Sequence, residues 1–174
     1  NSAGGPVYNY GLIDVYGIPN VANSLFAIKK LVYDDKTVAM PLLMDALHKN
    51  FAGYEDIKHL CLLQHKYGND EDDVDNIAKE VSAHVFGYIQ THKLWHGGIY
   101  YGFCASAPGA HLSFGETTAA TPEGRLAGTP LANSMAPVQG TDRKGPTAMI
   151  NSVTKIDLSK CIGTPVVNIS FRKE

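Results

Sequence analysis

The feature that most constrains this chain is a glycine- and proline-rich stretch, ATPEGRLAGTPLANSMAPVQGTDRKGPTA, which occupies residues 120–148. It holds four of the chain's nine prolines and four of its glycines, with very few large apolar residues. Disordered segments repeat a few residue types and carry charge in blocks, whereas this stretch spreads its turn-forming residues among varied ones. Loops of this length are uncommon in compact domains unless they are functional or disordered. We therefore expect a rigid, functional loop.

The bulk composition is that of a globular chain. Of the 174 residues, 44% are hydrophobic and 18% are charged, which suits one domain or part of a larger one. The formal net charge of -2 gives no electrostatic basis for binding nucleic acid or an anionic membrane surface. No apolar run approaches the roughly 20 residues of a membrane-spanning helix. The start lacks both a signal peptide and a Met, so we expect a processed start or a piece of a longer protein.

The cysteines indicate a reducing compartment. Cys61, Cys104 and Cys161 are odd in number and far apart in sequence, and no CxxC pair is present. This is not the pattern of a secreted disulfide framework or of a zinc site. We expect a cytoplasmic protein without a bound metal.

Apolar residues recur at helical spacing in the first half of the chain, which predicts four helices. The first begins after Pro19, and its apolar face is predicted to be Val21, Leu25, Ile28 and Val32. The next two are predicted from Leu43, Ala46, Leu47 and Phe51, and from Ile57, Leu60 and Cys61. The fourth has the longest stripe: Val74, Ile77, Val81, Val85 and Tyr88.

An acidic run over residues 70–75 precedes the fourth predicted helix. Acidic side chains stabilise a helix N-terminus, and Asn69 or Asp70 can cap it. The run lacks the alternating spacing and terminal Glu of a calcium loop, so we expect capping and no metal.

After Gly98 the pattern changes to short segments rich in aromatic and β-branched residues. IYYGFCAS at residues 99–106 and TPVVNISF at residues 164–171 predict buried strands. A short helix is predicted at Thr147–Thr154. The predicted class is mixed α/β, with helices first and at least two strands late.

Other candidate chemistry has a structural explanation beside it. Cys104 and His111, with Asp142, have the residue types of a cysteine hydrolase, but no nucleophile signature surrounds Cys104. A buried cysteine on an apolar strand is the competing interpretation. Arg125 can tie the loop together through its guanidinium or bind a carboxylate, and we expect the structural role.

A second histidine-based hypothesis is also open. His92 and His96 are four residues apart and would share a helix face, yet a zinc site needs a third ligand. We expect a pair of surface or interface histidines.

Taken together, six segments resemble one family in their order along the chain. They are GGPVYNYG, SLFAIKKLVYDD, KYGNDEDDVDNIAKEV, ATPEGRLAGTPLA, SMAPVQGTDRKGPTAMINSVTKID and VVNISF. These segments resemble the late part of the large domain of glycyl radical enzymes, the pyruvate formate-lyase superfamily. The resemblance covers nearly the whole chain, and one small departure is Glu123, where the family usually has Asp.

The resemblance implies a fold and a chemistry. The implied fold is a partial ten-stranded α/β barrel with helices outside, and residues 1–174 would be one piece of that barrel domain. In this family a radical-SAM activating enzyme removes hydrogen from a backbone glycine. The glycyl radical generates a thiyl radical on a cysteine, which abstracts hydrogen from a small-molecule substrate. The resemblance also implies a homodimer and anaerobic metabolism.

The radical residues themselves have no match in this chain. None of HLCLL, GFCAS or SKCIG matches the family's Gly-Cys motif, and the Arg-Val-x-Gly-Tyr pattern of the glycine loop is absent. On this interpretation the 174 residues are an inactive fragment without thiyl loop or glycyl radical domain, which would need the remainder of their own chain. No catalytic residue is assigned.

The resemblance also suggests a branch and a binding strand. GPTA and SMAPVQG are closer to the dehydratase, eliminase and decarboxylase branches than to pyruvate formate-lyase itself. Family members place pocket-lining side chains on the strand that YYGFCAS matches, which implies Tyr101, Phe103 and Ser106 as substrate-binding residues, with Tyr100 on the alternate face. The predicted function is a fragment of a glycyl radical lyase. The alternatives are a non-catalytic module that binds a partner, or a cysteine hydrolase that uses Cys104 and His111.

Overall fold

The computed structural model describes residues 5–104, 109–163 and 165–169. Within these ranges the chain is a mixture of helix and strand. The two strands are β1 (Tyr10–Asp14) and β2 (Ile99–Phe103). The α-helices are α1 (Ile18–Ile28), α2 (Met40–His48), α3 (Glu55–Leu63), α4 (Asp72–Gln90), α5 (Ala110–Thr117) and α6 (Gly145–Thr154). A π-helical turn, Lys29–Asp34, extends α1, and a short 3-10 helix spans Leu158–Lys160.

The strands β1 and β2 pair in parallel, with Tyr10 opposite Ile99 and Asp14 opposite Phe103. Parallel strands need a crossover connection, and here helices α1 to α4 supply it. An isolated parallel bridge between Gly102 and Cys161 brings the chain along the other edge of β2. The order across the described part is therefore β1, β2 and then the segment at Cys161.

The helices α1 and α4 form the centre of the core and pack on one side of the sheet. Phe86 of α4 lies directly over Gly102, where an added Cβ atom would be 2.5 Å from the Phe86 ring. Only glycine permits this close approach. The same core cluster includes Ile18, Ala22, Phe26, Val74 and Ala78.

The buried faces of α1 and α4 differ from those predicted from apolar spacing. Val21 and Leu25 are 45% and 43% exposed, while Asn20 and Asn23 are 4% and 0% exposed. In α4 the prediction holds for Val74, which is buried, and for Ile77, Val81 and Val85, which are partly buried against the same cluster. Tyr88 is 63% exposed, and Ala78, Ser82 and Phe86 are buried in addition. Small residues are buried here because they let the two helices approach closely, and the asparagines are buried because they bind the glycine- and proline-rich loop.

A second cluster holds helices α2 and α3 together. It consists of Leu31, Val38, Leu43, Ala46, Phe51, Ile57 and Cys61. The predicted core positions of the second and third helices are confirmed for Leu43, Ala46, Phe51, Ile57 and Cys61, which are all buried. In this part of the chain the apolar pattern and the packing agree.

The loop over residues 120–148 is folded against the helices, as expected. Its backbone turns at Thr121–Arg125 through an isolated bridge, and Ala132, Ser134 and Met135 are buried. Side chains from elsewhere hold its main chain: Ala132 N donates to Asn20 Oδ1 and Ala127 N to Asn50 Oδ1, each at 2.8 Å. Asn69 accepts from Arg143 N at 2.7 Å and donates to Thr141 O at 2.8 Å.

Two predictions about strands are corrected by the structure. A strand precedes the helices, because Tyr10–Asp14 pairs with β2, so the helices do not come first. The predicted strand at residues 164–171 has no regular structure over residues 165–169, and its other residues lie outside the described ranges. In the described part of the chain, the bridge at Cys161 is the backbone pairing that connects this end of the chain to the sheet, and the barrel is not evident.

The helix predicted at Thr147–Thr154 is confirmed as α6, Gly145–Thr154. No helix in the described ranges is both long and apolar enough to cross a membrane.

Candidate functional site

The face of the sheet that points away from α4 is the candidate site. Side chains alternate along a strand, so Gly102 against Phe86 places Tyr101 and Phe103 on the opposite face. Tyr10 lies on that face too, because its ring meets the Tyr101 ring edge-on. We call this surface the open face, and define it as Tyr10, Leu12, Asp14, Ile99, Tyr101 and Phe103.

Tyr101, a predicted substrate-binding residue, is half-buried on the open face. Its ring centroid is 6.4 Å from that of Tyr10, with an angle of 89° between the ring planes. The tyrosine also lines a cavity of about 560 Å³, together with Tyr8, His96 and Ile162. Tyrosines line much of this cavity, but it is open to solvent, since Tyr8 is 83% and Tyr10 51% exposed.

Phe103, the second predicted substrate-binding residue, packs against the chain near Cys161. The Phe103 ring covers Gly163, where an added Cβ atom would be 2.0 Å from the ring. Ser106 lies outside the described residues. Tyr100, the predicted alternate, lies on the helix side of the sheet against Gly11, as strand alternation requires.

Asp14 is a residue of the open face that the sequence analysis did not select. It ends β1, pairs in register with Phe103 and is exposed. A carboxylate at the end of the short apolar run GLI was the available signal, because the carboxyl ends of parallel strands are where ligands bind in α/β folds. The strand itself was missed, and so was its terminal carboxylate.

The geometry around Cys104 gives no support to a cysteine hydrolase. Cys104 follows β2 on the helix side, is fully buried, and contacts Cys161. Burial strongly raises the pKa of the Cys104 thiol, and the adjacent Cys161 raises it further. Reactive thiols need the reverse, a depressed pKa and access. Among the described residues, no hydrogen bond joins Cys104 to His111, whose Nδ1 is buried without a partner.

A buried carboxylate anchors the loop to α1. Glu123 is 3% exposed, and its two oxygens accept from Asn20 Nδ2 at 2.6 Å and from Asn23 Nδ2 at 3.0 Å. Burial raises the pKa of Glu123, while the hydrogen bonds from these asparagines and the charge of Lys66 lower it. We call the group of Asn20, Asn23 and Glu123 the clasp.

Lys66 completes the electrostatics of the clasp. It is 8% exposed, and its ammonium donates to Cys61 O at 2.7 Å. Burial lowers the pKa of Lys66 to about 8, although the charge of Glu123 opposes this change. The lysine therefore stabilises the buried carboxylate at a distance and satisfies a carbonyl in the last turn of α3.

Arg125 has the structural role that was expected. Its guanidinium donates to four loop carbonyls, those of Thr118, Ala119, Leu126 and Thr129, at distances between 2.5 and 3.1 Å. The loop reaches β2 through Ser134, whose hydroxyl donates to Cys104 O and accepts from Val166 N. The loop thus supports the carboxyl end of the strand that carries Tyr101 and Phe103.

The acidic run before α4 binds a lysine and no cap is formed by Asn69 or Asp70. Glu71 immediately precedes α4 and makes no side-chain cap hydrogen bond. Asn69 cannot cap the helix, because its side chain binds the loop. Lys155 Nζ, beyond α6, lies 2.8, 2.7 and 2.9 Å from Asp70, Asp72 and Asp75. The run therefore fixes α6 onto α4.

Potential metal ligands converge near that run. In the described ranges, ligand atoms of His65, Glu71 and Asp73 lie within 4.8 Å of one another. Lys144 already binds Glu71, and both oxygens of Asp73 are within 3.1 Å of His65 Nδ1. Internal ion pairs account for this group. His92 and His96, which were predicted to share a helix face, both lie beyond the end of α4. His92 is exposed, and His96 lines the cavity.

Two family models match the chain. The pyruvate formate lyase-like model matches residues 1–108, and the glycine radical model matches residues 131–174. The second match corrects the expectation that residues 1–174 are barrel alone, without a glycyl radical domain, because residues 131–174 match the glycine radical family model.

Characterised relatives match over most of the chain. The isethionate sulfite-lyase of Bilophila wadsworthia is 36% identical over 169 residues, an alignment that covers 94% of this chain and 20% of that protein. The trans-4-hydroxy-L-proline dehydratase of Clostridioides difficile is 38% identical over 162 residues, covering 92% of this chain and 20% of that protein.

Solved structures have the same arrangement. The glycerol-bound B12-independent glycerol dehydratase from Clostridium butyricum matches with a TM-score of 0.86 and 35% identity, over 89% of this chain and 20% of that one. The chain spans about a fifth of the length of these relatives.

Proposed function

The chain belongs to the pyruvate formate lyase-like family, and from this premise we propose that it is part of a longer glycyl radical lyase. The observation that carries the proposal is the match of two family models in order, over residues 1–108 and 131–174. The relatives reported above are dehydratases and a sulfite-lyase, which supports an eliminating reaction on a small organic substrate.

The proposed fold of the longer protein is the ten-stranded α/β barrel. Three features support it: the parallel pairing of β1 and β2, helices on one face of that pair, and a further bridge at Cys161. In such a barrel the helices lie outside, so the open face would line the interior. A face with Tyr10 and Leu12 at 51% and 44% exposure is suited to burial by strands of the same protein.

The proposed role of this chain is to shape the substrate site and to exclude water from it. When present, the glycyl radical supplies hydrogen abstraction through a cysteine thiyl, and we propose that both groups lie outside this chain. Tyr101, Phe103 and Ser106 would line the pocket, and the aromatic rings would exclude water from the substrate. The clasp and Arg125 would keep the carboxyl end of β2 in place through Ser134.

The partners follow from the proposed chemistry. They are a radical-SAM activating enzyme, the remainder of the same polypeptide and a second copy in a homodimer. The proposed setting is anaerobic metabolism in the cytoplasm.

The test uses the intact enzyme that contains this segment, incubated anaerobically with its activating enzyme. We expect a glycyl radical signal by electron paramagnetic resonance, and no signal or activity from the 174 residues alone. Tyr101→Ala and Phe103→Ala should each lower kcat/KM by about tenfold or more while the radical signal remains. Tyr33→Ala is the matched control, because Tyr33 is 63% exposed on the π-helical turn. Intact enzyme that acquires no radical would contradict the proposed function. Radical with unchanged kinetics in both variants would contradict the proposed pocket only.

A further inference from the structure

We propose that Asp14 selects the substrate: its carboxylate accepts a hydrogen bond from a hydroxyl or ammonium group and disfavours anionic substrates. The inference rests on the proposed function, and it names the substrate class for the same site. The register of the sheet is the first observation that supports it. Asp14 is opposite Phe103, and both lie at the carboxyl ends of parallel strands.

The direction of the Asp14 side chain follows from strand alternation. Tyr10 contacts Tyr101 on the open face, and Asp14 is four residues after Tyr10, so it lies on the same face. Four residues of strand correspond to about 13 Å. The carboxylate therefore lies beside Phe103 and far from the cavity at Tyr10, so a small substrate held by Asp14 would lie at the Phe103 end of the proposed pocket.

The Asp14 carboxylate has no hydrogen-bond donor among the described residues, although its charge helps to raise the pKa of the nearby Cys104 thiol. Asp14 is exposed, and it makes no ion pair with any residue that the structure describes. Its situation differs from that of Glu123, whose oxygens are both engaged by asparagines. A carboxylate without a partner is costly once water is excluded, so a closed site requires a donor for Asp14, and the inference assigns that donor to the substrate.

The surroundings of Asp14 make it a discriminating group. The other members of the open face are tyrosine, leucine, isoleucine and phenylalanine, none of which is charged. A single acceptor among apolar side chains fixes the orientation of a ligand and rejects ligands without a matching donor. A sulfonate or carboxylate at this position would meet a like charge, whereas an ammonium would form a charge-assisted hydrogen bond.

The experiment compares three substrates of similar size in the intact, activated enzyme: propane-1,2-diol, 2-aminoethanol and 2-hydroxyethanesulfonate. Wild type should act on the diol, the amine or both with a higher kcat/KM than on the sulfonate. Asp14→Asn keeps the volume and removes the charge. It should lower kcat/KM about tenfold or more for the amine and roughly threefold for the diol, mainly through KM, and it should not lower kcat/KM for the sulfonate.

Asp56→Asn is the control, because Asp56 is exposed on α3, away from the sheet. It should leave all three values within about twofold. An equal loss on all three substrates would indicate a structural role and overturn the inference. A wild-type preference for the sulfonate, or a radical-bearing enzyme that acts on none of the three, would also overturn it. Absence of the radical would instead contradict the proposed function, which the resonance spectrum reports separately.

Discussion

The loop over residues 120–148 and the open face of the β1–β2 pair differ in what surrounds their side chains. The loop is rich in glycine and proline, yet its buried charges Glu123 and Arg125 bind groups of the described chain. The open face has the composition of a buried strand, yet Tyr10 and Leu12 are about half exposed. Local composition therefore did not indicate which of the two regions finds its packing partners within the described chain. The contacts show that the loop does and that the open face does not.

This comparison shows which region is stabilised by contacts within the described chain. The loop is fixed by amide side chains of Asn20, Asn23, Asn50 and Asn69, each of which satisfies loop or neighbouring backbone groups. The open face has an aromatic cavity and one free carboxylate, and it needs further structure or a ligand to cover it. Changes in the loop should therefore cost stability, whereas changes on the open face should affect binding.

The largest effect on stability is expected from Arg125→Met in the intact enzyme. The variant removes the Arg125 donor from four carbonyls, of which those of Ala119 and Thr129 have no other donor among the described residues, so the free energy of local opening should fall by about 2–4 kcal/mol. Hydrogen exchange of the amides over residues 120–148, otherwise well protected, should then accelerate by roughly 30-fold or more.

Arg143→Met is the matched control. Arg143 is an exposed arginine of the same loop, and its side chain has no hydrogen bond or ion pair in the part of the chain described here. Equal exchange rates in the two variants, or complete exchange within seconds in wild type, would contradict the ordered loop.

The next effect is expected from Asn23→Ala, which breaks the clasp. The substitution leaves a Glu123 oxygen and the Tyr67 amide without a partner, at a cost of about 2 kcal/mol in the free energy of unfolding. Asn76→Ala on the exposed side of α4 should cost nothing measurable. Thermal unfolding of both variants measures the difference. A loss below about 0.5 kcal/mol for Asn23→Ala would mean that the clasp adds little.

A pH-dependent effect of about 1–3 kcal/mol is expected from Lys66, which lies beside the clasp. Its pKa falls from 10.5 to about 8 on folding, so the unfolded chain binds more protons between those values. The stability of wild type relative to Lys66→Met should therefore rise as the pH increases from about 8 to about 10.5. Denaturant unfolding at several pH values, with the variant subtracted, measures this slope. A flat difference would contradict a lowered pKa for Lys66 in the folded chain.

The smallest effect on stability is expected on the open face. Leu12→Ser should change the free energy of unfolding by about 0.5 kcal/mol or less in the isolated chain, because Leu12 is 44% exposed there. The same change should reduce self-association in sedimentation experiments, since the open face is an unpaired apolar surface. Leu63→Ser, at a 63% exposed position on α3, is the control and should leave association unchanged. An isolated chain that is already monodisperse would show that the open face needs no cover.

Part of the fold could be predicted because local patterns report local packing. The stripes of α2 and α3 gave the correct buried residues, and α6 was placed within two residues of its start. The motifs indicated the family, which the family matches confirm. Tyr101 and Phe103 were selected through the resemblance, and the structure places both on one face of β2; their role in binding stays a prediction.

Contacts between groups far apart in sequence could not be predicted. Local patterns were enough for the helices of the second core cluster, the ordered character of the loop and the absence of a hydrolase signature around Cys104. They could not determine that Asn20 and Asn23 would be buried in place of Val21 and Leu25, because their partner Glu123 is 100 residues away or more. They could not reveal β1 or Asp14, because a five-residue strand acquires its meaning from pairing with β2, across four intervening helices. Apolar spacing indicates which side of a helix avoids water. In α1 the side with the asparagines is buried instead, because their amide groups bind the buried Glu123 carboxylate, and this stabilises the fold more than burial of Val21 and Leu25 would.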